Sequence, residues 1–93
     1  MRTTTTVWPT KPPSNDEEKV AFEARRAILC AEAVRIAGDE VYRDLFSIEV
    51  NEDHTLLSVK RPWPGEEEAQ AWVDLMINEY NAISAVIDPV DTV

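Results

Sequence analysis

The chain has 93 residues, with 18 acidic and 9 basic side chains and a formal net charge of -9. This length predicts one domain, and a hydrophobic fraction of 44% argues against wholesale disorder. The negative charge disfavours direct binding to nucleic acid or to an anionic membrane and favours a basic partner. Cys30 is the only cysteine, which excludes an internal disulfide. The sequence lacks a membrane-length apolar run and an apolar signal region, so it predicts a cytoplasmic protein.

Residues 1–13 are predicted to form a strand or a flexible tail, followed by a proline-rich connector. Residues 3–8 are β-branched and aromatic, as in a strand. Pro9, Pro12 and Pro13 then prevent a regular element. Residues 14–93 are predicted to be a single α+β domain.

A long helix is predicted from about Asn15 to Ala37. Ser14 and Glu17 have the spacing of a capping box, and the acidic residues that follow suit the positive end of the helix dipole. Gly38 is a typical residue for the position just after a helix. The next segment, DEVYRDLF, is predicted to add a short turn.

A β-hairpin is predicted after this helix. Apolar residues alternate with polar ones over residues 46–50, and residues 51–53 are a polar turn. A second strand is predicted from His54 to Arg61, and the short link makes the pair antiparallel.

A second long helix and a final strand complete the predicted elements. Pro62, Pro64 and Gly65 interrupt the chain, and three glutamates then begin a helix that runs from residue 66 to about residue 80. Its apolar face contains Ala69, Trp72, Val73, Met76, Ile77 and Tyr80. Residues 82–88 are predicted to be a strand.

The order (β)αββαβ predicts a small two-layer α+β sandwich. The fold is ferredoxin-like if the threonine-rich segment pairs as a strand, because that segment then fills a central position in the sheet. If the segment is a tail, the sheet is incomplete, and a second chain is the natural source of the missing contacts.

The first helix carries apolar residues on two sides. One stripe is rich in alanine and contains Val20, Ala24, Ala27, Ile28, Ala31 and Val34. The other contains Phe22, Leu29 and Ile36, flanked by Arg25 and Glu32. Because a small two-layer domain covers one face of a helix, we expect the alanine-rich stripe to pack on the sheet and the other to meet a partner. The alternative is that another segment of the chain covers the second stripe.

The predicted protein-binding residues are therefore taken from this second stripe and from the unexplained Trp63. They are Phe22, Leu29, Ile36, Arg25, Glu32 and Trp63.

The residue patterns predict no catalytic, cofactor or metal site. His54 is the only histidine, and the sequence has neither the spacing of a zinc site nor a glycine-rich phosphate loop. Cys30, inside the first helix, is predicted to be a core residue and not a nucleophile.

Three classes of function stay open. The leading hypothesis is a small acidic, non-enzymatic protein-protein interaction module that self-associates as a homodimer or larger homo-oligomer. In one version it inhibits or regulates a basic, nucleic-acid-binding partner. An alternative is a ligand-binding or enzymatic ferredoxin-like dimer with a pocket lined by Trp63, Trp72, Tyr80 and His54. The third is a structural component of an assembly.

Overall fold

A four-stranded antiparallel sheet and three helices make up the fold in the computed structural model, which describes residues 1–89. The elements in chain order are β1 (Arg2–Pro9), α1 (Asp16–Ile36), α2 (Glu40–Leu45), β2 (Ser47–Val50), β3 (Leu56–Trp63), α3 (Glu66–Asn78) and β4 (Ser84–Pro89). The strand order in the sheet is β2-β3-β1-β4. The predicted small α+β class is confirmed. Within residues 1–89, the helices are too short or too polar to cross a membrane.

The threonine-rich segment is a strand at the centre of the sheet, which settles the choice between strand and tail. β1 pairs with β3 on one side and with β4 on the other. Thr4, Thr6 and Trp8 are fully buried. The Thr4 hydroxyl donates to the carbonyl of Arg61 at 3.3 Å and accepts from Nε1 of Trp63 at 2.9 Å. The segment therefore anchors β3 through side-chain as well as backbone hydrogen bonds.

β3 begins and ends two residues later than predicted. It extends beyond Arg61 because Pro62 is accommodated inside it. Pro62 is paired with Thr3 of β1, but β2 pairs with β3 only as far as Lys60, so the side of Pro62 that lacks an N–H lies beyond the end of β2. The carbonyl of Pro62 instead accepts a hydrogen bond from the guanidinium of Arg61. Proline usually ends a strand, but β3 continues through Pro62 because β2 does not need an N–H at that position.

The start of β3 is delayed by the turn of the hairpin. Oδ1 of Asn51 accepts from the N–H groups of Thr55 and Leu56 at 2.8 and 3.0 Å. His54 has a φ of 57°, in the left-handed region that strands do not use. His54 and Thr55 therefore belong to the turn.

α1 is capped by Asn15, one residue after the predicted position. Oδ1 of Asn15 accepts from the N–H of Glu18 at 2.8 Å. The Glu18 carboxylate in turn accepts from the N–H and the hydroxyl of Ser14 at 2.8 and 2.7 Å. These bonds to Ser14 lower the pKa of Glu18 below its usual range.

The side of α1 that meets the sheet is the opposite of the predicted one. Leu29 and Ile36 are 6% and 5% exposed, whereas Val20 and Val34 of the alanine-rich stripe are 71% and 77% exposed. Leu29 packs in the core with large residues of the sheet and of α3, among them Trp8, Val59, Trp63, Trp72 and Met76. The larger side chains bury more apolar area than the alanines would, which favours this orientation.

We expect Leu29→Ala to destabilise the fold by about 2–5 kcal/mol, because it removes core volume that the neighbours cannot refill. The matched control Val34→Ala lies on the exposed side of the same helix and should cost within about 0.5 kcal/mol. Urea unfolding followed by circular dichroism gives both values. Equal costs for the two substitutions would show that α1 is oriented differently.

Candidate functional site

The six predicted protein-binding residues fall into two groups, with five of them on the inner side of α1 and Trp63 on β3. Phe22, Arg25 and Leu29 line a groove between α1 and the β2–β3 hairpin. Ile36 and Trp63 instead line a cleft at the other end of α1, and Glu32 is bonded to Arg61 in the wall of that cleft. The predicted set is therefore not a single continuous surface.

The first group belongs to what we call the apolar groove, with a volume of about 230 Å³. Its walls are Phe22, Arg25, Arg26, Leu29, Cys30 and Ala33 from α1, and Ile48 and Leu57 from the hairpin. Leu29 is buried, Leu57 is partly buried, and Ile48 is 51% exposed. The groove is therefore closed on the side of β3 and open on the side of β2.

Two arginines place positive charge along the α1 side of the groove. The guanidinium carbon of Arg25 lies 5.1 Å from the ring centre of Phe22 and 5.5 Å from that of Trp8. Burial lowers the pKa of Arg25 from its ordinary value. Arg26 forms an exposed ion pair with Glu23 at 3.8 Å. The groove is thus an apolar and locally cationic feature of a strongly acidic chain.

Cys30 is exposed and lines the apolar groove, so the prediction of a core cysteine is wrong. Adjacent helical residues are rotated by about 100°, so burying Leu29 turns Cys30 towards solvent. The groove therefore contains an accessible thiol.

The second group surrounds a buried ion pair between Arg61 of β3 and Glu32 of α1. The two side chains are 4% and 15% exposed. The guanidinium of Arg61 also stacks on Trp63, with its carbon 3.6 Å from the ring centre. Oε1 of Glu32 lies 3.6 Å from Nη1 of Arg35. The charges of this cluster are satisfied mainly by one another, which makes its role structural.

The cleft beside the ion pair has a volume of about 270 Å³ and a mixed lining. Its residues are Arg35, Ile36, Asp39, Tyr42, Arg61, Trp63, Pro64 and Glu68. Asp39 already caps α2 through hydrogen bonds to the N–H groups of Val41 and Tyr42 at 3.1 and 3.2 Å. The two cations and two anions of this lining indicate no single class of ligand.

The residues expected to share a ligand pocket lie in different places. Trp63 and Trp72 pack on each other, with ring centres 5.3 Å apart. The backbone carbonyl of Tyr80 accepts from Nε1 of Trp8 at 2.9 Å. His54 lines a cleft beside the Pro9–Pro12 connector. Residues 1–89 contain no group of three or more histidine, cysteine or acidic side chains placed to hold a metal ion.

Comparisons with known protein families, with curated proteins and with solved structures gave no match.

We expect Glu32→Ala to destabilise the protein by about 3–5 kcal/mol, because it leaves the charge of Arg61 buried without its carboxylate partner. The double variant Glu32→Leu with Arg61→Met should recover most of this loss, because both charges are then absent. Denaturant unfolding of the single and double variants measures the difference. A double variant as unstable as Glu32→Ala would contradict this account of the pair.

Proposed function

We propose that the chain is a small, acidic, non-enzymatic protein-binding module that receives apolar side chains of its partner in the apolar groove. The observation that carries the proposal is the groove between α1 and the hairpin, with apolar walls and an open side at β2. Apolar surface removed from water stabilises a complex by roughly 25 cal/mol per Å² before the costs of association. A groove that is open along one side suits a chain segment better than a small enclosed ligand.

The charge of the chain supports a basic partner. The net charge of -9 favours encounters with positively charged proteins and disfavours acidic ones. Arg25 and Arg26 modify this preference locally, because they disfavour a basic side chain inside the groove. The proposed partner therefore presents apolar residues to the groove and its basic residues elsewhere. Inhibition of a basic, nucleic-acid-binding protein is one form that this function takes.

We also propose that the fold is ferredoxin-like and that the protein is cytoplasmic. The fold is supported by the element order, in which α2 is a short addition to βαββαβ, and by the strand order β2-β3-β1-β4. The location rests on the sequence argument alone.

Self-association through α1 is a second candidate function, on the side of α1 that faces away from the sheet. Val20 and Val34 are 71% and 77% exposed there, and the alanines between them allow close approach of a second helix. The expected interface therefore consists of the alanine-rich stripe, because Leu29 and Ile36 are occupied by the core.

The groove is tested by cross-linking from Cys30, the only thiol of the chain. A benzophenone-maleimide on Cys30 should cross-link a partner protein in cell extract, and Ile48→Glu should abolish the product because it places a charge at the open side of the groove. The measurement is mass spectrometry of the cross-linked band.

The control carries the label on the outer side of α1, in the double variant Cys30→Ser with Val20→Cys. The same partner cross-linked equally from both positions would overturn the groove proposal. A product of twice the mass of the chain, formed only from the outer label, would support self-association through the alanine-rich stripe.

A further inference from the structure

The open side of the apolar groove is also an unpaired edge of the sheet. Among residues 1–89, β2 pairs only with β3, so its other side is an edge. The N–H of Asn51 donates to the carbonyl of Leu56 at 3.1 Å, which fixes the alternation along the ladder. By this alternation the backbone N–H and C=O of Glu49 point towards β3, while those of Ile48 and Val50 point away from the sheet. They are free to bond to an added strand.

The opposite edge of the sheet is less suited to an added strand. The same alternation along β1 and β4 directs the backbone of Pro89 outward, and proline has no N–H to donate. Ala85 and Ile87 also direct their backbone groups outward on this edge, so among residues 1–89 the β2 edge differs from it by having no outward proline and by lying beside the apolar groove.

The side chains of β2 give this edge two chemically different faces. Ile48 and Val50 are 51% and 47% exposed on the face that holds α1, next to the apolar groove. Glu49 is exposed on the other face of the sheet, and the turn that follows adds Glu52 and Asp53. An added strand thus meets apolar side chains on one face and negative charge on the other.

We propose that β2 accepts an extended segment of a partner protein as a fifth strand, with apolar residues flanking a basic one. The apolar residues cover Ile48 and Val50 and reach the groove, and the basic residue stands opposite Glu49. Main-chain hydrogen bonds to Ile48 and Val50 hold the segment, and the alternating side chains select it. This inference deepens the proposed function and rests on it.

Charge disfavours a second copy of the chain as the occupant, because each copy carries a net charge of -9. Two β2 strands paired about a two-fold axis through Glu49 would place the two Glu49 carboxylates directly opposite each other. Like charges at such positions are destabilising, and an added basic residue at the same place is stabilising. The arginines on the α1 side disfavour a basic residue on the other face, which fixes the order apolar-basic-apolar.

The probe is the synthetic peptide acetyl-Thr-Val-Lys-Val-Thr-amide, titrated into the isotope-labelled full chain and followed by NMR. We expect the amide signals of Ile48 and Val50 to shift and their hydrogen exchange to slow on binding. A matched peptide with glutamate in place of lysine should bind roughly fivefold more weakly. A peptide with both valines N-methylated should lose binding, because it cannot donate to the carbonyls of the edge.

Glu49→Lys should reverse the preference between the lysine and glutamate peptides. The N-methylated peptide tests the proposal on the unaltered chain if this variant does not fold. Equal binding of the N-methylated peptide, or shifts confined to α1 without slower exchange at Ile48 and Val50, would overturn strand addition. The cross-linking result from Cys30 would still stand in that case. Slow exchange at both amides without peptide, together with a dimer in sedimentation, would make a second copy the occupant and also overturn the proposal.

Discussion

The ion pair between Arg61 and Glu32 fixes the rotation of α1 about its axis. The apolar area of Leu29 and Ile36 favours burial of one side of this helix, and the ion pair selects the same side. Arg61 lies inside the sheet, where burial without an opposite charge costs several kcal/mol. Glu32 lies on the same side of α1 as Leu29 and Ile36, so only one orientation of the helix brings the carboxylate to the guanidinium. Leu29 and Ile36 are buried in that orientation, and Val20 and Val34 of the alanine-rich stripe face solvent, whereas Ile28 of that stripe packs partly against the core.

The proposed binding surface follows from this orientation. With Leu29 turned inward, Phe22 and Cys30 border the side of α1 that faces the hairpin. β2 is only four residues long and lies at the sheet edge, and Ile48 on it stays half exposed. Groove, half-exposed apolar residues and unpaired backbone therefore occur together at one margin of the domain. In the proposed function the buried charges act only indirectly, because they position the helix that forms one wall of the groove.

Capping residues, alternation and turn residues in the sequence predicted most of the helices and strands. The orientation of α1 and the extension of β3 depend on contacts between distant parts of the chain. The predicted limits of α1 and of the hairpin were close to the observed ones, because capping residues, alternation and turn residues act over a few positions. The prediction of which side of α1 is buried was wrong. It gave too little weight to the larger apolar area of Leu29 and Ile36, and it could not include the ion pair with Arg61, which is distant in sequence. The extension of β3 through Pro62 was missed because it depends on where β2 ends. The groove unites Phe22 and Leu29 with Ile48 and Leu57, a combination that helix periodicity cannot indicate.

The position of β1 has a consequence for how the chain acquires its structure. β1 precedes both of its neighbours in the chain, because β3 begins at Leu56 and β4 at Ser84. Pairings between such distant segments form slowly, and a strand without partners is prone to aggregate in the meantime. Threonine has the branched shape that suits a strand, and its hydroxyl keeps the emerging nascent segment compatible with water. The hydroxyl of Thr6 is later buried without a hydrogen-bond partner among residues 1–89, so the folded state carries the desolvation cost of this polar group.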